Sequence, residues 1–370
     1  MMAIRVLVVD DSVVIRRLVV QALESDPGIE VAGTAANGQL AQSKFEQLRP
    51  DVITMDVEMP IMNGVEAVRA LRAKGVRVPI IMFSTLTARG ATATLDALAA
   101  GATDYVTKPA NVGSVQESLK QVAEQLGPKI RALAPRSLRS SLPAARRGAP
   151  AGTPEPVVRK AVTLPKAPTH PVRAVVVGSS TGGPEALSRL VSGLQKPLPV
   201  PMFVVQHMPP VFTAQLAARL DRMGPSTVVE ATDGMVPRAG TIYIAPGDWH
   251  MVLAGRSANT HVKLHQEPPV NFCRPSVDVM FQSVLACYGK DILGVVLTGM
   301  GSDGKVASGE IVQAGGTVIS QDEQTSVVWG MPGAVAAAGA THRILPIDEI
   351  AQAITARVTR ADQFIEGRTA

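Results

Sequence analysis

The 370-residue sequence has only two cysteines and no long apolar run. Cys273 and Cys287 form no metal-ligand motif and are too few for a disulfide framework, which fits a reducing compartment. No apolar stretch approaches the roughly 18 residues that a membrane helix needs. The apolar start is interrupted by Asp10 and Asp11 before a cleavage site could follow, so it reads as a strand and not a signal peptide. The expected compartment is the cytoplasm.

What is present is 46% hydrophobic residues, in a chain longer than one core usually serves, so two domains are expected. The formal charge of +5 is concentrated between Gly127 and Pro171, where nine Lys or Arg face Glu155 alone. The same segment holds nine prolines and few large apolar residues, and reads as a disordered, solvated tether. The rest of the chain is net acidic at −3, which argues against a nucleic-acid surface.

Ahead of that tether, short apolar runs alternate with segments of helical period. Ile4 to Val9, Ile29 to Ala32, Val52 to Met55, Ile80 to Phe83 and Tyr105 to Thr107 read as strands of a doubly wound parallel sheet. Function in such sheets gathers beyond the carboxyl ends of the strands, and the residues there are polar: Asp10 and Asp11, Asp56, Ser84 and Thr85, and Lys108. Three carboxylates at one edge repel unless a divalent cation with oxygen ligands, usually Mg²⁺, joins them. A lysine and a hydroxyl aimed at the same point suit a phosphoryl group carried on a carboxylate, with Asp56 as the central acceptor.

These motifs, "LVVDDS", "DVITMDVEMPIMNG", "IIMFST" and "DYVTKP", resemble those of bacterial response-regulator receiver domains over residues 3 to about 125. The resemblance implies a flavodoxin-like fold with Asp56 as phosphoacceptor. It further implies Mg²⁺ ligation by Asp11, Asp56 and the Glu58 carbonyl with Asp10 nearby, a switch of Ser84, Tyr105 and Lys108, and a cis bond at Lys108-Pro109.

After the tether, Ala174 to Val177, Met202 to Val205 and Ile292 to Leu297 read as buried strands of a second, largely parallel sheet. The first runs into "GSSTGG", where a phosphate cradle, a nucleophile turn and a plain tight connection compete. The phosphate readings fail on residue type: Ser180 stands where a dinucleotide fingerprint needs its second glycine, and Gly183 is followed by Pro184 and Glu185, not Lys and Ser/Thr. Gly178, Ser180 and Gly182 fit G-x-S-x-G, with the glycines expected to make room for substrate. A serine nucleophile needs a base and an orienting acid, and both await at strand ends: His207 in "FVVQHMPP" and Asp303 in "VVLTGMGSDG".

Other candidates carry less. His261 and His265 lie in "HVKLH", which alternates like an exposed strand, so residues four apart stand roughly 13 Å from each other, too far to share an ion. His250 and His342 read as structural, Cys273 as a small apolar residue, and Thr181 as a weaker nucleophile than Ser180.

The order Ser180, His207, Asp303 matches neither α/β-hydrolases nor the familiar proteases. Together with "YIAPGDWHM", "PPVNFCRPSVDVMF" and "GMPGAV", and with a receiver in front, the chain resembles the chemotaxis protein-glutamate methylesterase (CheB) family. The resemblance implies an α/β architecture of two doubly wound parallel-sheet domains: a flavodoxin-like receiver over 1–126 and a Rossmann-like methylesterase domain over 172–370, joined by a disordered linker over 127–171.

It also implies a Ser180, His207, Asp303 triad that hydrolyses glutamate γ-methyl esters on methyl-accepting chemoreceptors and deamidates specific glutamines. No cofactor is expected for that chemistry. A chemotaxis histidine kinase is the implied phosphodonor, and recruitment to receptor arrays without membrane insertion is expected. The unphosphorylated receiver is expected to restrain the catalytic edge. The rival reading is a receiver with a non-catalytic output that binds DNA or a protein; no helix-turn-helix pattern beyond residue 172 supports it.

Overall fold

The computed structural model describes residues 3–109, 114–135, 164–255 and 259–359. The chain forms two compact units, and it contains two separate parallel sheets.

In the N-terminal domain, β1 (Ile4–Val9), β2 (Ile29–Ala35), β3 (Val52–Asp56), β4 (Ile80–Ser84) and β5 (Asp104–Thr107) lie in the order β2-β1-β3-β4-β5. β1 pairs in parallel with β2 and β3, and β3 with β4. β1, β3 and β4 are almost wholly buried, which is why they read as unbroken apolar runs. The intervening helices are α1 (Val13–Glu24), α2 (Gly38–Leu48), α3 (Gly64–Ala73), α4 (Ala88–Ala99) and α5 (Val115–Leu133). Each starts on a side-chain cap, from Ser12, Asn37, Asn63, Thr87 and Ser114 in turn. Each cap satisfies one of the N–H groups that a first helical turn leaves open.

One boundary departs from the sequence expectation. Composition places the start of the tether at Gly127, yet α5 continues through Pro128 to Leu133. Val122, Leu126, Ile130 and Leu133 are buried at helical spacing, and that burial offsets the backbone hydrogen bond that Pro128 cannot donate. At the other end, Arg357 donates to the carbonyls of His170 (2.6 Å) and Pro168 (3.0 Å), fastening the last residues of that segment to the C-terminal helix. Residues 136–163 of the expected linker lie outside the described residues.

The second domain holds a seven-stranded parallel sheet in the order β14-β13-β12-β6-β7-β9-β8. Its strands are β6 (Ala174–Ser179), β7 (Met202–Gln206), β8 (Thr227–Glu230), β9 (Thr241–Ile244), β12 (Ile292–Val296), β13 (Thr317–Gln321) and β14 (Arg343–Leu345). β10 (His250–Ala254) and β11 (His261–His265) form an antiparallel hairpin beside it. The helices are α6 (Gly183–Gly193), α7 (Phe212–Leu220), α8 (Val277–Tyr288), α9 (Lys305–Gln313), α10 (Met331–Ala337) and α11 (Ile347–Thr359). Val176, Phe203, Phe281 and Val296 are fully buried in one core, where each such side chain contributes about 1.5–3 kcal/mol. β12, β6 and β7 sit side by side at the centre, and the chemistry gathers where they end.

Candidate active site

Ser180 follows β6, His207 follows β7, and Asp303 lies in the turn between β12 and α9. The sheet order places these three ends next to one another although 123 residues separate the first and last in sequence. The register pairs Ser179 with Gln206, so the next residues, Ser180 and His207, leave the ladder side by side. Ser180 is partly exposed, as a nucleophile must be, while Thr181 is buried.

The turn differs from a strained elbow. Its left-handed residue is Gly182 (φ +75), and Ser180 is not among the residues with positive φ. The glycines make room for protein, not for substrate as expected. A Cβ on Gly178 would lie 2.4 Å from Val277 Cγ1, and one on Gly182 would lie 2.5 Å from Val327 Cγ2. The turn is anchored to the next strand end by Ser180 N–H donating to the Thr298 carbonyl at 3.0 Å, and by Thr298 Oγ1 donating to the Thr181 carbonyl at 2.9 Å.

Asp303 is buried and surrounded by donors. Oδ2 accepts from His207 Nε2 (2.8 Å) and Val277 N–H (2.6 Å). Oδ1 accepts from Asn271 Nδ2 (2.9 Å), Ser276 Oγ (2.9 Å), Asp278 N–H (3.1 Å) and Gly304 N–H (3.1 Å). Three of these come from Ser276 and the first turn of α8, where the helix dipole also favours negative charge. Burial alone would raise the Asp303 carboxyl, but His207 and the other donors outweigh it and hold the group well below the usual carboxylate range.

Burial likewise opposes protonation of His207, yet the hydrogen bond to Asp303 and the Cys273 thiol prevail and push its pKa up to about 9. Nε2 faces Asp303 and Nδ1 lies 3.5 Å from Cys273 Sγ; among the described residues no hydrogen bond joins His207 to Ser180. Nδ1 is therefore the nitrogen left to serve a nucleophile. In the serine-protease triad the two nitrogens are used the other way round, with Nδ1 toward the acid and Nε2 toward the serine.

Cys273 corrects its sequence reading: it is half-exposed beside the imidazole, not a buried apolar residue. It stands in a loop where Asn271 (φ +53) and Phe272 (φ +64) take left-handed backbone. That conformation is costly for a bulky residue, and Arg274 holds the loop by donating two hydrogen bonds, from Nε at 2.9 Å and Nη2 at 2.6 Å, to Asp248 Oδ1. Asn271 also reaches Asp278 Oδ2 at 2.9 Å, so one amide bridges two carboxylates. Burial, with the Asp303 charge adding to it, raises the Asp278 carboxyl.

Of the set-aside histidines, His250 touches the cage around Asp303 through Ser276, and none hydrogen-bonds to the triad itself among the described residues. His250 accepts from Ser276 N–H through Nδ1 (3.3 Å), and burial lowers its pKa. His342 accepts from Val318 N–H at 3.1 Å. His261 and His265 stand on a strand, though half-buried and not exposed, because His265 packs on His250 across the hairpin at 5.3 Å.

In the N-terminal sheet, one carboxylate oxygen from each of Asp10, Asp11 and Asp56 lies within 4.8 Å of the others. Asp10 and Asp56 are buried, whereas Asp11 and Glu58 are exposed. Three carboxylates supply hard oxygen donors of the kind that Mg²⁺ takes, so the residues fit such an ion. Ser84 is buried with its hydroxyl donating to the Gly90 carbonyl at 3.1 Å, and the Lys108 N–H donates to the Ser84 carbonyl at 2.6 Å. Tyr105 is buried, and that burial, reinforced by Asp104, raises its hydroxyl pKa. Lys108-Pro109 is not cis; the cis bond among the described residues is Arg274-Pro275.

Sequence reasoning found the three strand-end residues and missed Gln206, Asn271 and Ser276. Ser276 had a legible signal as the N-cap ahead of the apolar "VDVMF" run. Asn271 had none, because its role depends on a left-handed loop.

A family model described as CheB methylesterase matches residues 175–354, and one described as response regulator receiver domain matches residues 6–120. A relative from Nocardioides sp., named protein-glutamate methylesterase/protein-glutamine glutaminase, is 57% identical over 97% of this chain and 97% of its own length. One of the same name from Trichodesmium erythraeum is 44% identical over 96% of this chain and 99% of its own. The crystal structure of the Thermotoga maritima CheB methylesterase catalytic domain is 40% identical, covering 50% of this chain and 98% of that one, with a TM-score of 0.49.

Proposed function

The chain belongs to the protein-glutamate methylesterase/protein-glutamine glutaminase family, and from that premise we propose that it hydrolyses glutamate γ-methyl esters on bacterial chemoreceptors and deamidates specific receptor glutamines. The observation that carries this reading is the meeting of Ser180, His207 and a donor-encircled Asp303 at the ends of three adjacent strands.

Both reactions are acyl transfers. Ser180 Oγ attacks the side-chain carbonyl of the glutamyl ester while His207 Nδ1 takes its proton, and the ester C–O bond breaks as the imidazolium returns that proton to leaving methanol. Water then attacks the acyl carbonyl as His207 takes its proton, and the serine–acyl bond breaks as the imidazolium returns that proton to Ser180 Oγ, freeing glutamate. Asp303 keeps the proton of His207 on Nε2 and stabilises the imidazolium that forms. The Ser180 and Gly183 N–H groups are committed to Thr298 O and Ser180 O, which leaves the N–H groups of Thr181 and Gly182, and that of Met300 in the glycine-rich turn, as candidate oxyanion donors.

Asp56 is the phosphoacceptor in this reading, with Ser84, Tyr105 and Lys108 as the switch. Asp10, Asp11, Asp56 and the Glu58 carbonyl would hold Mg²⁺, which neutralises charge on the phosphoryl oxygens when bound. The phosphodonor is a chemotaxis histidine kinase, and the enzyme works in the cytoplasm at receptor arrays. No helix is long and apolar enough to cross a membrane among the described residues. A DNA-binding output is not favoured, since the output half matches a methylesterase model.

The deciding experiment is methanol release from methylated receptor by Ser180→Ala. The expected loss is about 10,000-fold or more. Release within tenfold of the unmodified enzyme overturns the triad.

A further inference from the structure

Gln206 ends β7 one residue before His207 and is 1% exposed. A buried primary amide has two N–H donors and a carbonyl to satisfy, and each one left unpaired is destabilising because it has lost its water without gaining a partner. Gln206 directs all of them at the two reacting residues and their neighbour. Its Oε1 accepts from Ser179 Oγ at 2.7 Å, and its Nε2 donates to the Ser180 carbonyl at 3.0 Å and the His207 carbonyl at 3.1 Å. These partners also settle which end of the amide is nitrogen, because two carbonyls can only be met by a donor.

The sheet ladder cannot supply this link. β6 and β7 remain registered through Ser179 and Gln206, and the last rung is His207 N–H on the Ser179 carbonyl at 3.1 Å. The carbonyls of Ser180 and His207 lie beyond it, where the two chains diverge into different helices. The Gln206 amide spans that gap. Its seat is reserved by the start of α6: a Cβ on Gly183 would lie 1.8 Å from Oε1 and 2.9 Å from Cδ. Gly183 has ordinary φ, so the clash with Gln206, and not backbone conformation, is what a side chain there would meet.

We infer that Gln206 is a positioning residue that clamps the backbone of Ser180 to that of His207, and that Gly183 is kept bare to admit its amide. The inference rests on the triad reading above. A misplacement of about 1 Å costs roughly 100-fold in rate, so a clamp between nucleophile and base acts on kcat and leaves substrate binding alone.

The test uses the full chain. Gln206→Met keeps length and removes the donors; Gly183→Ala pushes the amide from its seat. Each is expected to lower kcat for methanol release about 10- to 100-fold with KM within about twofold. Phosphonylation of Ser180 by a fluorophosphonate, measured well below the unfolding temperature, should slow in parallel. Reactivity of Ser180 depends on its alignment with the base, whereas a general loss of stability leaves it unchanged in the folded fraction. Ser179→Ala, which frees only the carbonyl end of the amide, serves if Gln206→Met does not fold, with an expected loss of about threefold to tenfold. Unchanged kcat in the folded variants, or lowered kcat with unchanged phosphonylation, overturns the clamp. Methanol release that survives Ser180→Ala overturns the underlying triad instead, and the two failures are thereby told apart.

Discussion

Two strand edges of this molecule carry buried carboxylates and treat their charge in opposite ways. At the edge of the N-terminal sheet, Asp10, Asp11 and Asp56 crowd together, acid beside acid. At the edge of the second sheet, Asp303 stands among six donors from His207, Asn271, Ser276, Val277, Asp278 and Gly304. The first edge gathers hard oxygen donors of the kind that a divalent cation takes. The second carries its compensation in the fold, so its charge is permanent and can serve one histidine. A parallel sheet supports both a switch and a catalyst because strand ends converge polar groups whatever their sign.

The comparison breaks first at Asp303. If its permanent charge is what orients His207, Asp303→Asn should lower kcat for methanol release about 10,000-fold, since an amide cannot hold the imidazole proton on Nε2. A loss below tenfold in a folded variant would mean that the donor cage is only structural.

The other edge is tested through its dependence on supplied charge. Asp56→Asn should abolish stimulation of the esterase by a small phosphodonor such as acetyl phosphate with Mg²⁺, and removal of Mg²⁺ by EDTA should do the same to the unmodified chain. Stimulation that persists in either arm would separate Asp56 from the switch.

The smallest effect concerns protons. His207 must be neutral to accept one from Ser180, and its pKa is about 9, so kcat/KM should rise nearly tenfold per pH unit from 7 and level off near 9. Cys273 contributes to that elevation, so Cys273→Ala should move the acid limb to lower pH, visible as a higher rate at pH 7. Stability runs the other way. A folded pKa raised above the ordinary 6.5 stabilises the fold fully below 6.5 and loses that contribution as pH climbs through about 9. The lowered Asp303 carboxyl contributes above the ordinary 3.8 and is lost as pH falls below it. The ion pair thus steadies the fold most between about 4 and 6.5, where the base is silent. A pH-independent difference in thermal midpoint between the chain and His207→Ala would contradict this.

Much of this was legible in the residues. The apolar runs at Ile4, Val52, Ala174 and Ile292 are β-branched and buried on both faces, so they read as parallel strands without help from context. Where sequence reading erred, a nonlocal contact was responsible. Pro128 looks like the start of a tether because the packing of Ile130 and Leu133 is invisible in a composition count. The glycines around Ser180 look like space for substrate because Val277 and Val327, which fill that space, lie 95 or more residues away.

The sequence by itself determined which residues stand at strand ends and what chemistry they can do, because strand periodicity and side-chain type are local properties. Only the tertiary structure decided that β12, β6 and β7 are neighbours, that Nε2 of His207 and not Nδ1 faces Asp303, and that Cys273 and Gln206 join them. Strand order and ring orientation arise from packing between segments far apart in the chain, and no local pattern records which of several apolar strands will pair.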